Sequence, residues 1–235
     1  MQRAGALVIG CVLVLGVLGM LGMLGIGQVA GSTGGTIRGR VAVVKDGKVI
    51  AREDVWVYLE DLGRRRRRSA DAPAPAMREI RQIKTQFSPH VLVVPVGTTV
   101  AFPNFDLEEH NVFSPTDPPG QFDLGRYNTD HKGKTHRFDD PAEMEIYCDI
   151  HKQMWARVKV VDSGYIVAVK QGQFTIEGVP PGTYKVHAWT RDSAEVLERV
   201  IVTEGQTSTV EELHLQLGKE RTHTRLDGNS YGPYR

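Results

Sequence analysis

From residue 35 onward the chain alternates apolar and polar positions in twos, with Gly, Pro, Asn and Asp between the runs. That period predicts strands throughout. In Asp54–Leu59, Val55, Val57 and Leu59 share one strand face while Trp56 and Tyr58 share the other. In Glu143–Cys148, Met144, Ile146 and Cys148 fall on one face, and Glu143, Glu145 and Tyr147 point the opposite way. Cys148 therefore ends a strand facing inward. No amphipathic helix stands out, and the expected fold class is all-β.

Three segments break the alternation. Ala4–Gly27 is almost uninterrupted apolar and small, with Arg3 before it and Gln28-Val29-Ala30-Gly31-Ser32 after it. Residues 1–30 thus read as a signal peptide, and the mature protein is expected to be periplasmic or secreted. The run is also long enough to span a bilayer, which leaves an uncleaved membrane anchor through residues 4–27 open. Cys11, inside this run, reads as a small buried hydrophobe. Residues 62–76 contain Arg64–Arg68 followed by Ser-Ala-Asp-Ala-Pro-Ala-Pro-Ala, a solvated Arg-rich linker, with a docking patch for an acidic partner or lipid headgroups as the alternative. Residues 218–235 form a polar tail with no apolar period, expected to be disordered.

Composition narrows the function. Of 235 residues 40% are hydrophobic and 24% charged, which is globular, and a net charge of +1 argues against bulk nucleic-acid binding. Beyond the export segment there is one cysteine, Cys148, which can form no internal disulfide. Metal ligation, an intermolecular disulfide or an inert buried thiol would each account for it. No Ser-His-Asp order, phosphate-binding glycine loop or supported carboxylate pair occurs, so the chain is not expected to be an enzyme.

The stretch Tyr147-Cys148-Asp149-Ile150-His151-Lys152-Gln153-Met154 places a thiol, an imidazole and a thioether at Cys-x-x-His-x-x-Met. A blue-copper centre takes one Cys thiolate and two His in a near-trigonal plane, with a weak axial Met. The loop lacks only a second histidine, and His110 supplies it from an earlier segment. Zinc would accept Cys and two His but gains little from a thioether. His187 and His214 alternate with polar neighbours and read as solvent-facing. His131 and His136 lie in a polar connection, His90 precedes a strand, and His223 sits in the tail.

Residues 77–162 resemble a cupredoxin of the plastocyanin and amicyanin branch, found in methylamine-utilisation-type copper proteins. The matching features are Val93-Val94-Pro95-Val96-Gly97-Thr98-Thr99-Val100 leading to Phe102-Pro103-Asn104, the pair His110-Asn111, and a ligand loop closing into Val158-Lys159-Val160-Val161. The two-residue gap between His151 and Met154 is that of amicyanin. The resemblance implies an eight-stranded Greek-key sandwich, and copper held by His110, Cys148, His151 and Met154. It also implies a hydrogen bond from Asn111 across to the loop of Cys148, and electron exit through the His151 edge, with Ile150, Gln153 and Trp155 as candidates for the docking rim.

Residues 36–61 and 165–217 together resemble a carboxypeptidase regulatory-like, transthyretin-like β-sandwich, through Gly39-Arg40-Val41, Gly172-Gln173-Phe174-Thr175-Ile176 and Val179-Pro180-Pro181-Gly182-Thr183-Tyr184. That sandwich would be discontinuous, with the cupredoxin inserted into it. The implied function is a one-electron carrier cycling Cu(I)/Cu(II) between redox partner proteins. The alternatives are a copper-binding or copper-trafficking protein, and an adhesion or carbohydrate-binding module carrying a secondary copper domain.

Overall fold

The alternating runs form strands because β-branched residues pack well on a pleated, half-buried surface. The structure, a computed structural model, describes residues 34–63, 75–118, 120–219 and 224–230. The apolar run Ala4–Gly27, Cys11, Arg64–Arg68 and His223 lie outside the described residues. Among the described residues no helix is long and apolar enough to cross a membrane.

In chain order the strands are β1 (Gly35–Lys45), β2 (Lys48–Ile50), β3 (Val55–Asp61), β4 (Arg78–Glu79), β5 (Arg81–Gln82), β6 (Phe87–Ser88), β7 (Val91–Pro95), β8 (Thr98–Asn104), β9 (His110–Ser114) and β10 (Phe122–Tyr127). They continue with β11 (Asp130–Phe138), β12 (Ala142–Tyr147), β13 (Trp155–Val161), β14 (Ile166–Ala168), β15 (Gln173–Val179), β16 (Gly182–Thr190), β17 (Val196–Val202), β18 (Thr207–Thr209) and β19 (Leu213–Gln216).

The first and last strands share sheets. The first half of β1 pairs antiparallel with β15, as Arg38 opposite Thr175, and parallel with β18, as Ile37 opposite Ser208. Its second half pairs with β19, as Val43 opposite Leu215, and with β2. The facing sheet runs β14-β3-β16-β17, with Leu59 opposite Val186. Val41, Val43, Val55, Val57, Phe174, Ile176, Tyr184 and Val186 fill the space between. Glycine is required at position 39, where a Cβ would meet the Phe174 ring at 2.8 Å.

The middle strands form a second sandwich. One sheet runs β10-β9-β12-β13-β7 and the other β11-β8-β5-β6, with β4 also on β8. Its core holds Ile80, Phe87, Val100, Phe102, Val112, Phe138, Met144, Ile146 and Val158, and also Cys148 and Met154.

The second face of Val55–Leu59 is not solvated. Tyr58 and Trp189 pack with Val91, Val93 and Val161, so β3 and β16 meet β7 and β13, and Trp56 and Trp155 pack against this cluster. All three tryptophans of the chain lie in this joint. Arg157, 3% exposed, bonds Glu143 (2.8 Å) and Glu145 (2.7 Å), satisfying a charge that would otherwise be costly to bury. The joint corrects the reading of His187 as solvent-facing. Its side of β16 does alternate with the core side, but it is covered: the ring is buried, stacked 4.7 Å from Tyr58, with Nε2 3.1 Å from Glu60 Oε2.

Candidate metal centre

β12 delivers Cys148 inward at its end, and the loop to β13 closes tightly. The Cys148 N–H donates to the Met154 carbonyl (3.2 Å), and the Met154 N–H donates to the His151 carbonyl (3.0 Å). β9 starts at His110 and is tied to β12 by Tyr147 opposite Phe113. The outcome is a cluster at one end of the sandwich in which one donor atom each of His110, Cys148 and His151 lies within 4.8 Å of the others. The His110 and His151 Nδ1 atoms are 3.1 Å apart, and Cys148 Sγ is 3.7 Å from His151 Nδ1. His110, Cys148 and Met154 are fully buried. One thiolate and two imidazoles whose Nδ1 atoms converge on one another, at a largely buried position, fit copper.

The electrostatics favour the thiolate. Burial acts to raise the Cys148 pKa, but hydrogen bonds from His110 and from the backbone N–H groups of Asn111, Ile150 and His151 outweigh it and hold the thiol below its usual range. Burial acts to lower the His110 pKa, and the hydrogen bonds and charges of Cys148 and Asp106 raise it above the ordinary imidazole value. Burial and the neighbouring His110 lower that of His151.

The surroundings hold this geometry. Asn111 accepts from the Asp149 N–H at 3.3 Å, crossing from β9 to the loop that bears Cys148, and donates to Asp123 at 2.8 Å. The His151 side chain is 17% exposed, its Nε2 3.4 Å from Glu108 Oε2, in a surface groove with Ile150, Arg126 and Arg225. Of the rim candidates, Ile150 is exposed and Gln153 half-buried. Trp155 instead turns into the joint, between the His90 ring (4.5 Å) and the Arg191 guanidinium (4.0 Å).

The tail expected to be disordered also differs. Within its described part Arg225 and Asn229 close a turn, and Asp149 accepts from the Leu226 N–H (3.0 Å), from Arg225 and from Arg126 (2.6 Å). A polar segment anchored by one buried carboxylate carries no hydrophobic period, so the pattern gave no sign of it.

Asp106 is the residue that sequence reasoning missed. Its Oδ2 accepts the His110 Nε2–H at 2.9 Å. An acid four residues before a candidate histidine ligand was the available signal.

Comparison with known proteins covers parts of the chain. Residues 153–210 match the family described as polysaccharide lyase family 4, domain II. No curated protein matches the sequence. Among solved structures, a purple cupredoxin from Nitrosopumilus maritimus is 28% identical over 36% of this chain and 99% of its own, with a TM-score of 0.30. The copper-containing nitrite reductase of Thermus scotoductus SA-01 is 24% identical over 51% of this chain, with a TM-score of 0.34, and only 28% of its length is spanned. An oxidised amicyanin variant is 20% identical over 38% of this chain and 87% of its own, with a TM-score of 0.34.

Proposed function

We propose that this chain is an exported mononuclear blue-copper protein that carries single electrons between partner proteins. His110, Cys148, His151 and Met154 would hold the copper. The single observation that carries the reading is the convergence of the His110, Cys148 and His151 donor atoms within 4.8 Å at the closed end of a sandwich. Bound copper would supply one-electron cycling between Cu(I) and Cu(II). The chain's own part is to keep the ligands still: the loop is closed by its backbone hydrogen bonds and by Asn111, so ligand rearrangement on electron transfer is small. The His151 edge, 17% exposed, is the electron's exit, and the redox partner docks there.

In this reading residues 77–162 are the cupredoxin, inserted into a carboxypeptidase regulatory-like sandwich formed by 36–61 and 165–217, with 62–76 as the crossing. Residues 1–30 direct the chain to the periplasm or outside, cleaved or retained as an anchor. A copper-trafficking role would need an open, exchanging site, and the full burial of Cys148 and Met154 favours retention.

The test is the absorption spectrum of the purified chain after copper loading. One copper per chain with intense visible absorption from sulfur-to-Cu(II) charge transfer is expected. A colourless protein, or copper lost rapidly to a chelator in both oxidation states, would remove the electron-carrier reading.

A further inference from the structure

The hairpin between β5 and β6 is closed by reciprocal backbone hydrogen bonds between Ile83 and Gln86, at 2.9 and 3.2 Å. Its two central residues, Lys84 (φ 52°) and Thr85 (φ 55°), are both left-handed. Two-residue hairpins of this kind ordinarily use Asn-Gly or Asp-Gly, because side chains crowd the backbone at positive φ, and a β-branched residue most of all. A lysine followed by a threonine here is a local conflict, and such conflicts persist where the surroundings fix them.

What fixes this one is Asp106. The Lys84 N–H donates to its Oδ1 at 2.7 Å and the Thr85 N–H to its Oδ2 at 2.9 Å. Successive N–H groups in a left-handed turn form a concavity that suits an anion. The loop bearing Asp106 is held on both flanks: its own N–H donates to Asn104 Oδ1 (2.9 Å), the Thr129 hydroxyl donates to its carbonyl (2.5 Å), and the Phe105 N–H donates to the Gln82 carbonyl (2.9 Å). The same Oδ2 receives the His110 Nε2–H. A carboxylate can only accept this bond, so Nε2 carries a proton, and the neutral ring then presents its Nδ1 lone pair to the site.

We propose that the Lys84–Thr85 turn and Asp106 form a positioning relay for His110, which fixes the ring's tautomer and orientation and brings a permanent negative charge to the site that favours the higher oxidation state of its metal. The charge part rests on the copper reading above; the tethering of the ring does not. Asp106 is a positioning residue, acting through the imidazole.

The experiment uses the full chain, without metal and then loaded with copper. In the metal-free protein, nitrogen NMR should show His110 protonated at Nε2, with that proton exchanging at least about tenfold more slowly than in Asp106→Ala. In the copper-loaded protein, Asp106→Asn, which keeps an acceptor of the same shape but removes the charge, should favour Cu(I) about tenfold, a rise of about 59 mV in potential. Thr85→Gly, which keeps both N–H donors and relieves the left-handed crowding, should leave tautomer and potential unchanged. A His110 Nε2 without a proton, or exchange as fast in the parent as in Asp106→Ala, would overturn the relay. An unchanged potential in Asp106→Asn would overturn its electrostatic part. If no copper binds while the protected Nε2 proton persists, the copper assignment fails and the tethering stands.

Discussion

The indole Nε1 of Trp189 donates to Glu143 Oε2 at 3.1 Å, and this bond ties β16 of one sandwich to β12 of the other. Glu143 also takes Arg157, and Lys159 lies 5.7 Å from the centre of the Trp189 ring, so one strand edge of the middle sandwich is committed to its neighbour. Trp189 is 1% exposed. Truncating a buried indole forfeits its contacts and leaves a cavity. Trp189→Ala should destabilise the metal-free chain by about 3–5 kcal/mol, read from denaturant unfolding followed by circular dichroism. A loss below ~1 kcal/mol would mean that the joint contributes little.

Acid should loosen the same joint. Burial acts to raise the pKa of Glu195, but hydrogen bonds from His187 and Tyr58 and the charge of Lys159 hold it below the usual carboxylate range, and Lys185 and His187 do the same for Glu60. A folded-state pKa below the unfolded one contributes stability that is fully present above the unfolded value, roughly 4.3, and is lost as pH falls through the folded value. The melting temperature should thus drop as pH falls below about 4.3. Glu195→Gln should flatten that dependence. An identical pH profile in the variant would remove Glu195 from the account.

Cys148→Ser should abolish the visible charge-transfer absorption altogether, because the thiolate sulfur is its source. A blue colour persisting in this variant would sink the ligand assignment.

Met154→Gln should retain copper and lower its reduction potential, the effect expected of an axial ligand that tunes but is not essential for binding. Voltammetry beside metal analysis decides it: complete metal loss, or an unchanged potential, argues against an axial role.

The three donors now found together were legible because two sit within four residues of one loop, and a Cys-x-x-His-x-x-Met run after an alternating strand has few other uses. The strand faces were legible too, since Val55, Val57 and Leu59 obey a period of two. That period says which side chains leave a strand together, but not what covers each side. Trp56, Tyr58, His187 and Trp189 occupy the side opposite the core of their sandwich, and only tertiary structure shows a second sandwich there. The apolar content of both faces of Val-Trp-Val-Tyr-Leu was the one trace of it. Lys84 and Thr85 were illegible for another reason: their roles lie in backbone N–H directions and a left-handed turn, and neither Lys nor Thr announces one.

The hydrogen bond from the Leu59 N–H to the Tyr165 carbonyl, 3.2 Å, joins the strands on either side of the inserted segment, and it bears on the order in which the chain folds. In an unfolded chain that contact closes a loop of about a hundred residues. Once the intervening sandwich has formed, the part of that loop outside it is on the order of twenty residues, and at (3/2)RT ln n the closure becomes cheaper by about 1.5 kcal/mol. The inner sandwich then acts as a staple for the outer one. Pulse-labelled hydrogen exchange during refolding should find the amides of Val158 and Val160 protected before those of Val43 and Val57, and the reverse order would assign nucleation to the outer strands.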